Sequence, residues 1–324
     1  MKIVRPRKID GEKPEDEEKY NVMIEKRAYD VLGSFLPAGA KTNASCHMNL
    51  RQFDDKLSYM KYHPLPEIKA LADSTLEALV ERYPSTFEKK KMYQESEDYR
   101  KYFQDNFAYN TPPLVAKNKG EIFVFTTNFI RQPLIAGMYR ELLSMRPKMT
   151  EVPKIVNEVG SFLVEFTIDF RSHRDLQRQR SALQRVPLLT TDIGFEPWYL
   201  DQLPESVFNE AIELLAYQQD AIALLDCDDL TRQYYIAMGY KVSNTFTIPF
   251  ADLIYIIELR TATTVHPTAR KIALNMYEGF KKALEDIGVD FVKIHAVTDT
   301  DDFDIKRADQ DLFLEGKRLS DKGN

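Results

Sequence analysis

Arginines are concentrated between Arg171 and Arg185, directly after a stretch of alternating apolar residues. If this segment is helical, spacings of three, four and seven residues bring four guanidinium groups to one side: Arg171, Arg174, Arg178 and Arg185. Such like charges require nearby carboxylates or an anionic ligand. Guanidinium groups suit phosphate, since they donate two parallel hydrogen bonds and stay charged. The segment predicts an anion-binding site; a solvated face paired with acidic residues and a surface for a polynucleotide or partner chain remain alternatives.

A second group of candidate side chains lies near residue 260. Arg260 closes an apolar run, and an arginine at the edge of a buried element usually contacts a ligand or a carboxylate. The sequence leaves both possibilities open. His266 precedes Pro267, a position more typical of a helix start than of catalysis. The remaining histidines show no partner pattern: His47, His173 and His295.

Several common kinds of site have no pattern in the sequence. Its 12 glycines form neither a dinucleotide-binding fingerprint nor a phosphate-binding loop. No cysteine or histidine pair has zinc-ligand spacing, and no serine stands in a nucleophile elbow. With 44 basic and 50 acidic residues, the net charge of -6 argues against general nucleic-acid binding. Two distant cysteines, no membrane-spanning run and no signal peptide predict a cytoplasmic protein.

The elements that position these side chains follow from apolar periodicity. The clearest strand is Ser161 to Phe170, where apolar residues alternate with mostly polar ones. Further strands fit 121–127 and 290–294, and helices fit 66–83, 132–145, 205–225 and 268–286. Residues 85–112 fit either a solvated connector or a long surface helix. Strands interspersed with long helices predict an α/β (α+β) fold with a mixed sheet.

The order of the elements predicts two unequal modules. His63-Pro64 and His266-Pro267 each precede a similar apolar helix, which indicates an internal repeat. The predicted parts are a flexible N-terminus (1–22), a partial first module with a connector (23–100), a more complete second module (101–297) and an acidic tail (298–324).

Three segments together resemble the flavin-dependent thymidylate synthases, in particular the long bacterial and viral members with two modules. The first runs from a strand into His173-Arg174-Asp175-Leu176-Gln177-Arg178-Gln179-Arg180. The second joins Glu258-Leu259-Arg260 to His266-Pro267, and the third joins residues 27–32 through Asn49-Leu50-Arg51 to His63-Pro64. The resemblance covers roughly residues 25–90 and 120–290. It implies a fold like that of thymidylate synthase complementing proteins, with the module partly repeated at the N-terminal end.

The resemblance implies a flavin enzyme that methylates dUMP to dTMP, or carries out a related one-carbon transfer to a pyrimidine nucleotide. FAD is the implied cofactor, with NADPH and methylenetetrahydrofolate as co-substrates. The implied cofactor contacts are Asn49, Arg51, Arg178, Gln179, Arg180 and His266. The implied nucleotide contacts are Arg174, Ser181, Arg185 and Arg260. No residue is assigned a catalytic or metal-binding role.

The sequence also departs from the family pattern. Gln179 replaces the family's middle histidine and therefore lacks titration near neutral pH. Ser181 and Arg185 lie near, but not at, the positions of its phosphate-binding serine and arginine. These departures leave a second hypothesis, a non-catalytic subunit that completes a site or an assembly with a partner chain. The resemblance implies a homo-oligomer, tetrameric in the family, or a separately encoded partner; neither a membrane nor a nucleic acid is an expected partner.

Overall fold

A computed structural model of the chain describes residues 14–87, 94–109 and 120–298. Within these ranges the strands are β1 (Phe123–Ile130), β2 (Gly160–Asp169), β3 (Leu183–Arg185) and β4 (Lys241–Pro249). The helices are α1 (Pro14–Ser34), α2 (Leu50–Met60), α3 (Pro66–Arg82), α4 (Pro84–Phe87), α5 (Gln94–Phe107), α6 (Gln132–Ala136), α7 (Arg140–Met145), α8 (Phe170–Gln177), α9 (Pro197–Asp201), α10 (Glu205–Ala223), α11 (Asp229–Arg232), α12 (Phe250–Arg260) and α13 (Pro267–Glu285). Two short 3-10 helices span Lys154–Val159 and Gln233–Tyr235.

The four strands form one sheet in the order β1-β2-β4-β3, and every neighbouring pair is antiparallel. The predicted α/β class is confirmed in its coarse form, a sheet combined with many helices. The expected mixed sheet is wrong in one respect, because no parallel pair occurs among the described strands.

Strand β2 forms as the alternation predicts, but both of its faces are covered. On its apolar face, the side chains of Phe162, Val164 and Phe166 are fully buried. That face packs against α12 and α13, where the Phe162, Phe250 and Phe280 rings lie 5.1–6.2 Å apart. The opposite face is also buried although it is polar, and it consists of residues such as Glu165, Thr167 and Asp169. The sheet therefore holds polar side chains at low exposure beside the start of α8.

Strand β4 has no counterpart in the sequence-based expectations, although it pairs with β2 from Ser161–Pro249 to Asp169–Lys241. Its apolar face shows the expected alternation at Val242, Phe246 and Ile248. Asn244 interrupts that face, and hydroxyl residues fill the other one. The resulting pattern is too polar to be recognised as a central strand from periodicity alone.

Three predicted helices are confirmed within a few residues by α3, α10 and α13. The prediction of a single helix over 132–145 is wrong, because the helix is interrupted after Gly137 and the segment forms two short helices, α6 and α7. The strand predicted over 290–294 is also wrong. This segment extends along α7 instead, where the Lys293 amide donates to the Leu143 carbonyl at 3.1 Å.

The ends of the chain are only partly described. Residues 1–13 and 299–324 lie outside the described ranges. The predicted flexible N-terminus (1–22) and acidic tail (298–324) therefore fall largely outside the part of the chain that the structure describes. From Pro14 the chain is helical in α1. Of the two alternatives for 85–112, the described part favours the helix, since α5 covers Gln94–Phe107. No described helix combines the length and the apolar character that crossing a membrane requires.

The two predicted repeat segments form helix pairs of the same order. Helices α2 and α12 each contain 11 residues, and the helices that follow them, α3 and α13, contain 17 and 19. Of these two pairs, α12 and α13 pack on the sheet, whereas the main contacts of α2 and α3 are with each other and with α4 and α5. A duplication that produced both pairs stays a prediction.

Candidate functional site

The arginine segment is helical only in its first half. Asp169 caps α8 by accepting a hydrogen bond from the Ser172 amide at 2.7 Å, and the helix ends at Gln177. The side-chain amide of Gln184 then folds back and donates to the Gln179 carbonyl at 2.8 Å. Chain reversal after α8 lets β3 pair with the edge of β4. The condition under which all four arginines share one side, a helix through Arg185, is therefore not met.

This ending separates Arg185 from the other three arginines. Arg185 lies in β3, opposite Thr245, and is exposed. Leu176 and Leu183, which would share one face of a continuous helix, also separate, because Leu176 is fully buried whereas Leu183 is 60% exposed. Arg171, Arg174 and Arg178 remain together at the surface of α8.

A cavity of about 460 Å³ lies between α8, the C-terminal end of α12 and the end of α1, and we call it the arginine cavity. Its charged lining consists of Arg171, Arg174, Arg178, Arg260, Asp30 and Asp175. Ser172 and His266 also line it. Its volume lies within the range of ligand-binding pockets, roughly 300–1,000 Å³.

The four guanidinium groups of the arginine cavity are held in different ways, and Arg174 donates within α8 to the Arg171 carbonyl at 3.2 Å. Arg171 donates to the Tyr29 carbonyl at 3.2 Å and lies 3.5 Å from the Asp30 carboxylate. Arg260 donates to the Asp175 carbonyl at 2.6 Å. Arg178 is 74% exposed and only 3.9 Å from the Asp175 carboxylate. The cavity thus contains guanidinium groups that are oriented without being fully neutralised.

Electrostatic crowding is visible in the arginines themselves. Burial lowers the pKa of Arg174, and neighbouring Arg171 lowers it further. Burial also lowers the pKa of Arg260. Four guanidinium groups face two carboxylates across the arginine cavity, which leaves an excess of about two positive charges. An anion bound there would relieve this repulsion.

A second cavity of about 460 Å³ adjoins the first, and we call it the second cavity. The two share Arg178, Leu259 and Arg260 as a common wall. The remaining lining includes Lys154, Arg180, Gln179, Ser181, Tyr255, Glu151 and Asp252. Because the shared arginines serve both cavities, six basic and four acidic side chains line the pair, and the combined excess is again about two charges.

A buried polar network supports the floor of the arginine cavity. The Tyr199 hydroxyl donates to Asp169 Oδ2 at 2.7 Å, and Thr268 Oγ1 donates to Ser172 Oγ at 2.7 Å. His266 Nδ1 lies 3.0 Å from Ser172 Oγ and 2.9 Å from Thr268 Oγ1. These five side chains are at most 8% exposed, so the network holds Ser172 and His266 in fixed positions.

Burial dominates the ionisation of this network. It raises the pKa of the Asp169 carboxyl, even though hydrogen bonds from Tyr199 and Ser172 oppose the shift. Burial and the neighbouring Asp169 raise the pKa of Tyr199, so its hydroxyl stays protonated and remains a donor. Asp169 Oδ1 accepts no hydrogen bond from any described residue. The network is therefore a structural support for the cavity floor.

His173 lies on the opposite side of α8 and gives a pH-dependent prediction. It is 2% exposed, and burial lowers its pKa from 6.5 to about 4. The neutral ring therefore contributes stability that is fully present above pH 6.5 and is lost as the pH falls toward 4. We expect the urea midpoint to fall less steeply between pH 6.5 and 4.5 in His173→Gln than in the parent chain.

The control for this measurement is His47→Gln, since His47 is exposed in the segment before α2. Its curve should run parallel to that of the parent chain. Parallel curves for His173→Gln as well would show that the buried imidazole does not carry this pH dependence.

Most of the residues implied by the resemblance lie around the two cavities. The arginine cavity is lined by Arg174, Arg178, Arg260 and His266. The second cavity is lined by Arg178, Gln179, Arg180, Ser181 and Arg260. The other three, Asn49, Arg51 and Arg185, line neither cavity.

Asn49 has a structural role in this chain. Its side chain accepts from the Gln52 amide at 2.9 Å, and the Gln52 side chain accepts from the Asn49 amide at 3.2 Å. This reciprocal pair is a capping box at the start of α2. Arg51 is exposed in the first turn of the same helix.

Several residues that line the site were absent from the sequence-based expectations, among them Asp30, Asp175 and Tyr255. Asp175 stands within the arginine segment and could have been proposed as its carboxylate partner. Asp30 and Tyr255 carry no local signal, because tertiary folding alone brings them to the cavities. Within the described ranges, no group of three or more His, Cys, Asp or Glu side chains is arranged to hold a metal ion.

The chain is similar to proteins named UPF0159 protein. It is 24% identical over 295 residues to one from Chlamydia muridarum, covering 79% of this chain and 55% of the relative. It is 23% identical over 305 residues to one from Thermoplasma acidophilum, covering 81% and 58%. It is 22% identical over 325 aligned positions to one from Chlamydia pneumoniae, covering 85% and 61%. The chain thus spans somewhat more than half the length of these relatives.

These comparisons correct the resemblance to flavin-dependent thymidylate synthases. None of the three relatives bears that name, and no family model matches the chain. The assignment of the chain to that family is wrong. The structure explains why the short motifs gave a wrong family assignment, because some of their residues serve to stabilise the fold. Asn49 caps a helix, and Glu258 forms an ion pair with Arg146.

Proposed function

We propose that the arginine cavity binds the phosphate group of a pyrimidine nucleotide. The observation that carries this proposal is the excess of about two positive charges in a cavity of about 460 Å³. A phosphate monoester carries about 1.5 to 2 negative charges at neutral pH, so its charge matches that excess. Arg178 and Arg260 are the favoured contacts, because both stand on the wall that the two cavities share.

A flavin is the proposed ligand of the second cavity. Tyr255 and Leu259 are 42% and 41% exposed there and offer an apolar surface suited to a planar ring. Lys154 and Arg180 add cationic groups, and Ser181 and Gln179 add hydrogen-bonding groups. The residues present therefore fit the planar ring of a flavin cofactor such as FAD. Bound there, FAD would supply hydride-transfer chemistry.

The activity that we propose is a flavin-dependent one-carbon transfer to a pyrimidine nucleotide, with dUMP as the first substrate to test. The protein's contribution would be to place two aromatic ligands on either side of the Arg178–Arg260 wall. Methylenetetrahydrofolate and NADPH stay predicted co-substrates. A fold like that of thymidylate synthase complementing proteins also stays a prediction. The paired cavities support the two binding sites, whereas dUMP and the one-carbon transfer are carried over from the sequence motifs whose residues line them.

Two measurements test this function. Isothermal titration should show that the purified chain binds dUMP, and the protein should show visible flavin absorption as isolated or after incubation with FAD. A protein that takes up no FAD and binds no dUMP would contradict the proposal. Binding of dUMP without any flavin uptake would limit the site to nucleotide binding.

A non-catalytic subunit is the second candidate function. It is favoured by the positions of Asn49 and Arg51, which line neither cavity, and by helices α2 and α3, whose main contacts are with each other and with α4 and α5. Under this hypothesis, mixing with the partner chain would restore flavin binding that the chain alone lacks. Turnover by the purified chain alone would reject it. Homo-oligomerisation stays a prediction under both candidates.

A further inference from the structure

Asp30 is a carboxylate built into the wall of the arginine cavity. It belongs to the last turns of α1 and lies 3.5 Å from Arg171, and the two side chains are 22% and 20% exposed. Arg171 also donates to the adjacent Tyr29 carbonyl at 3.2 Å. One of the four guanidinium groups of the cavity is therefore engaged by α1.

The backbone fixes this arrangement. Directly after Asp30, the Gly239 amide donates to the Ser34 carbonyl at 2.7 Å, and the Met238 amide donates to the Leu36 carbonyl at 2.9 Å. Val31, next to Asp30, is fully buried beside Tyr199. The position of the Asp30 carboxylate is thus set by packing and backbone hydrogen bonds on the residues around it.

Close approach of α1 to Arg171 depends on Gly33. A Cβ atom at this position would lie 2.0 Å from an Arg171 guanidinium nitrogen. A larger residue would displace the arginine side chain from the α1 backbone. The sequence therefore accommodates Arg171 against α1, beside Asp30.

Charge at this wall affects which anions the cavity accepts. With Asp30 present, the excess of about two charges matches one phosphate monoester. A second or third phosphate would add negative charge at the α1 wall, where Arg171 is already held by Asp30 and the Tyr29 carbonyl. Those phosphates would also be repelled by the Asp30 carboxylate.

We infer that Asp30 restricts the arginine cavity to nucleotides that carry a single phosphate group. This inference rests on the proposed function, and it identifies nucleoside monophosphates as the ligand class. Asp30 acts as a specificity-determining residue: it reduces the affinity for polyphosphates more than the affinity for monophosphates.

The test compares the affinities of dUMP and dUTP for the full chain by isothermal titration at one ionic strength. The parent chain should bind dUMP at least about tenfold more tightly than dUTP. Asp30→Asn should shift this ratio toward dUTP by about tenfold. Asp30→Glu retains the charge and should keep the parental preference. Glu25→Gln removes one charge from an exposed position of α1 and should leave the ratio unchanged.

Each outcome has one consequence. An unchanged ratio in Asp30→Asn, together with a loss of dUMP binding in Arg260→Ala, would overturn the role of Asp30 and leave the proposed function standing. A parent chain that binds dUTP as tightly as dUMP would likewise overturn the role of Asp30 and leave the proposed function standing. If neither nucleotide binds the parent chain, the proposed function itself fails. Equal urea midpoints for Asp30→Asn and the parent chain would show that a shifted dUMP-to-dUTP affinity ratio does not come from loosening of α1. If Asp30→Glu is destabilised but keeps the parental affinity ratio, the charge of the side chain is the cause of the selectivity.

Discussion

Replacing Arg260 with alanine is expected to weaken dUMP binding by about 10- to 100-fold. Hydrogen bonds to a charged group contribute about 1.5–3 kcal/mol each, and this arginine stands on the wall shared by both cavities. Its guanidinium is already oriented by the 2.6 Å hydrogen bond to the Asp175 carbonyl, so little conformational entropy opposes phosphate binding. Isothermal titration at fixed ionic strength measures the effect directly.

Arg185→Ala is the matched control for this substitution. Arg185 is exposed in β3 and lines neither cavity, so its removal changes the net charge equally without touching the site. We expect its dUMP affinity to stay within about twofold of the parental value. Arg260→Lys should recover only part of the lost affinity, because an ammonium group cannot donate two parallel hydrogen bonds. Equal losses for Arg260→Ala and Arg185→Ala would contradict a phosphate site at Arg260.

Much of the fold follows from apolar periodicity, and the exceptions have identifiable causes. Strand β2 and helix α13 were predictable because their apolar residues recur at strand and helix spacing. Strand β4 was missed because its buried surface is largely polar, with Ser243, Asn244 and Thr245 at most 7% exposed. A buried polar surface leaves no periodic signal, since tertiary contacts determine its burial.

The location of the candidate site was predictable to a similar degree. A dense arginine segment marks it in the sequence, and Arg174, Arg178 and Arg260 do meet at one cavity. The end of α8 was not predictable, because it depends on hydrogen bonds from the Gln184 side chain and on pairing of β3 with β4. Asp30 was beyond prediction, since contacts between residues far apart in the sequence place α1 beside the cavity, among them the hydrogen bond from the Gly239 amide to the Ser34 carbonyl.

Glu258 illustrates how a motif residue can serve the fold. The sequence offers Arg260 either a ligand or a carboxylate as its partner. In the structure it is the neighbouring Glu258 that forms a buried ion pair, and its partner is Arg146. Its carboxylate accepts two hydrogen bonds from Arg146 and one, at 2.7 Å, from the His295 amide. Arg146 also donates to the Lys293 carbonyl at 2.9 Å. These contacts hold the segment after α13 in place, which explains why the predicted strand over 290–294 does not form.

Replacing Arg146 with methionine is expected to lower the free energy of unfolding by about 3–5 kcal/mol. The Arg146 and Glu258 side chains are only 5% and 17% exposed, so the substitution leaves a carboxylate largely buried without its cationic partner. Loss of the contacts to the Thr150 and Lys293 carbonyls adds to the cost. Urea denaturation followed by circular dichroism gives the difference in free energy.

Lys281→Met is the matched control, since Lys281 and Glu285 lie 3.9 Å apart with side chains 53% and 59% exposed. Loss of this exposed pair should cost less than about 1 kcal/mol. The double variant Arg146→Met/Glu258→Leu should regain part of the stability lost in Arg146→Met, because it removes the uncompensated carboxylate. Full recovery is not expected, since the Lys293 carbonyl and the His295 amide would still lack their side-chain partners. Similar losses for Arg146→Met and Lys281→Met would show that the buried ion pair does not anchor the segment after α13.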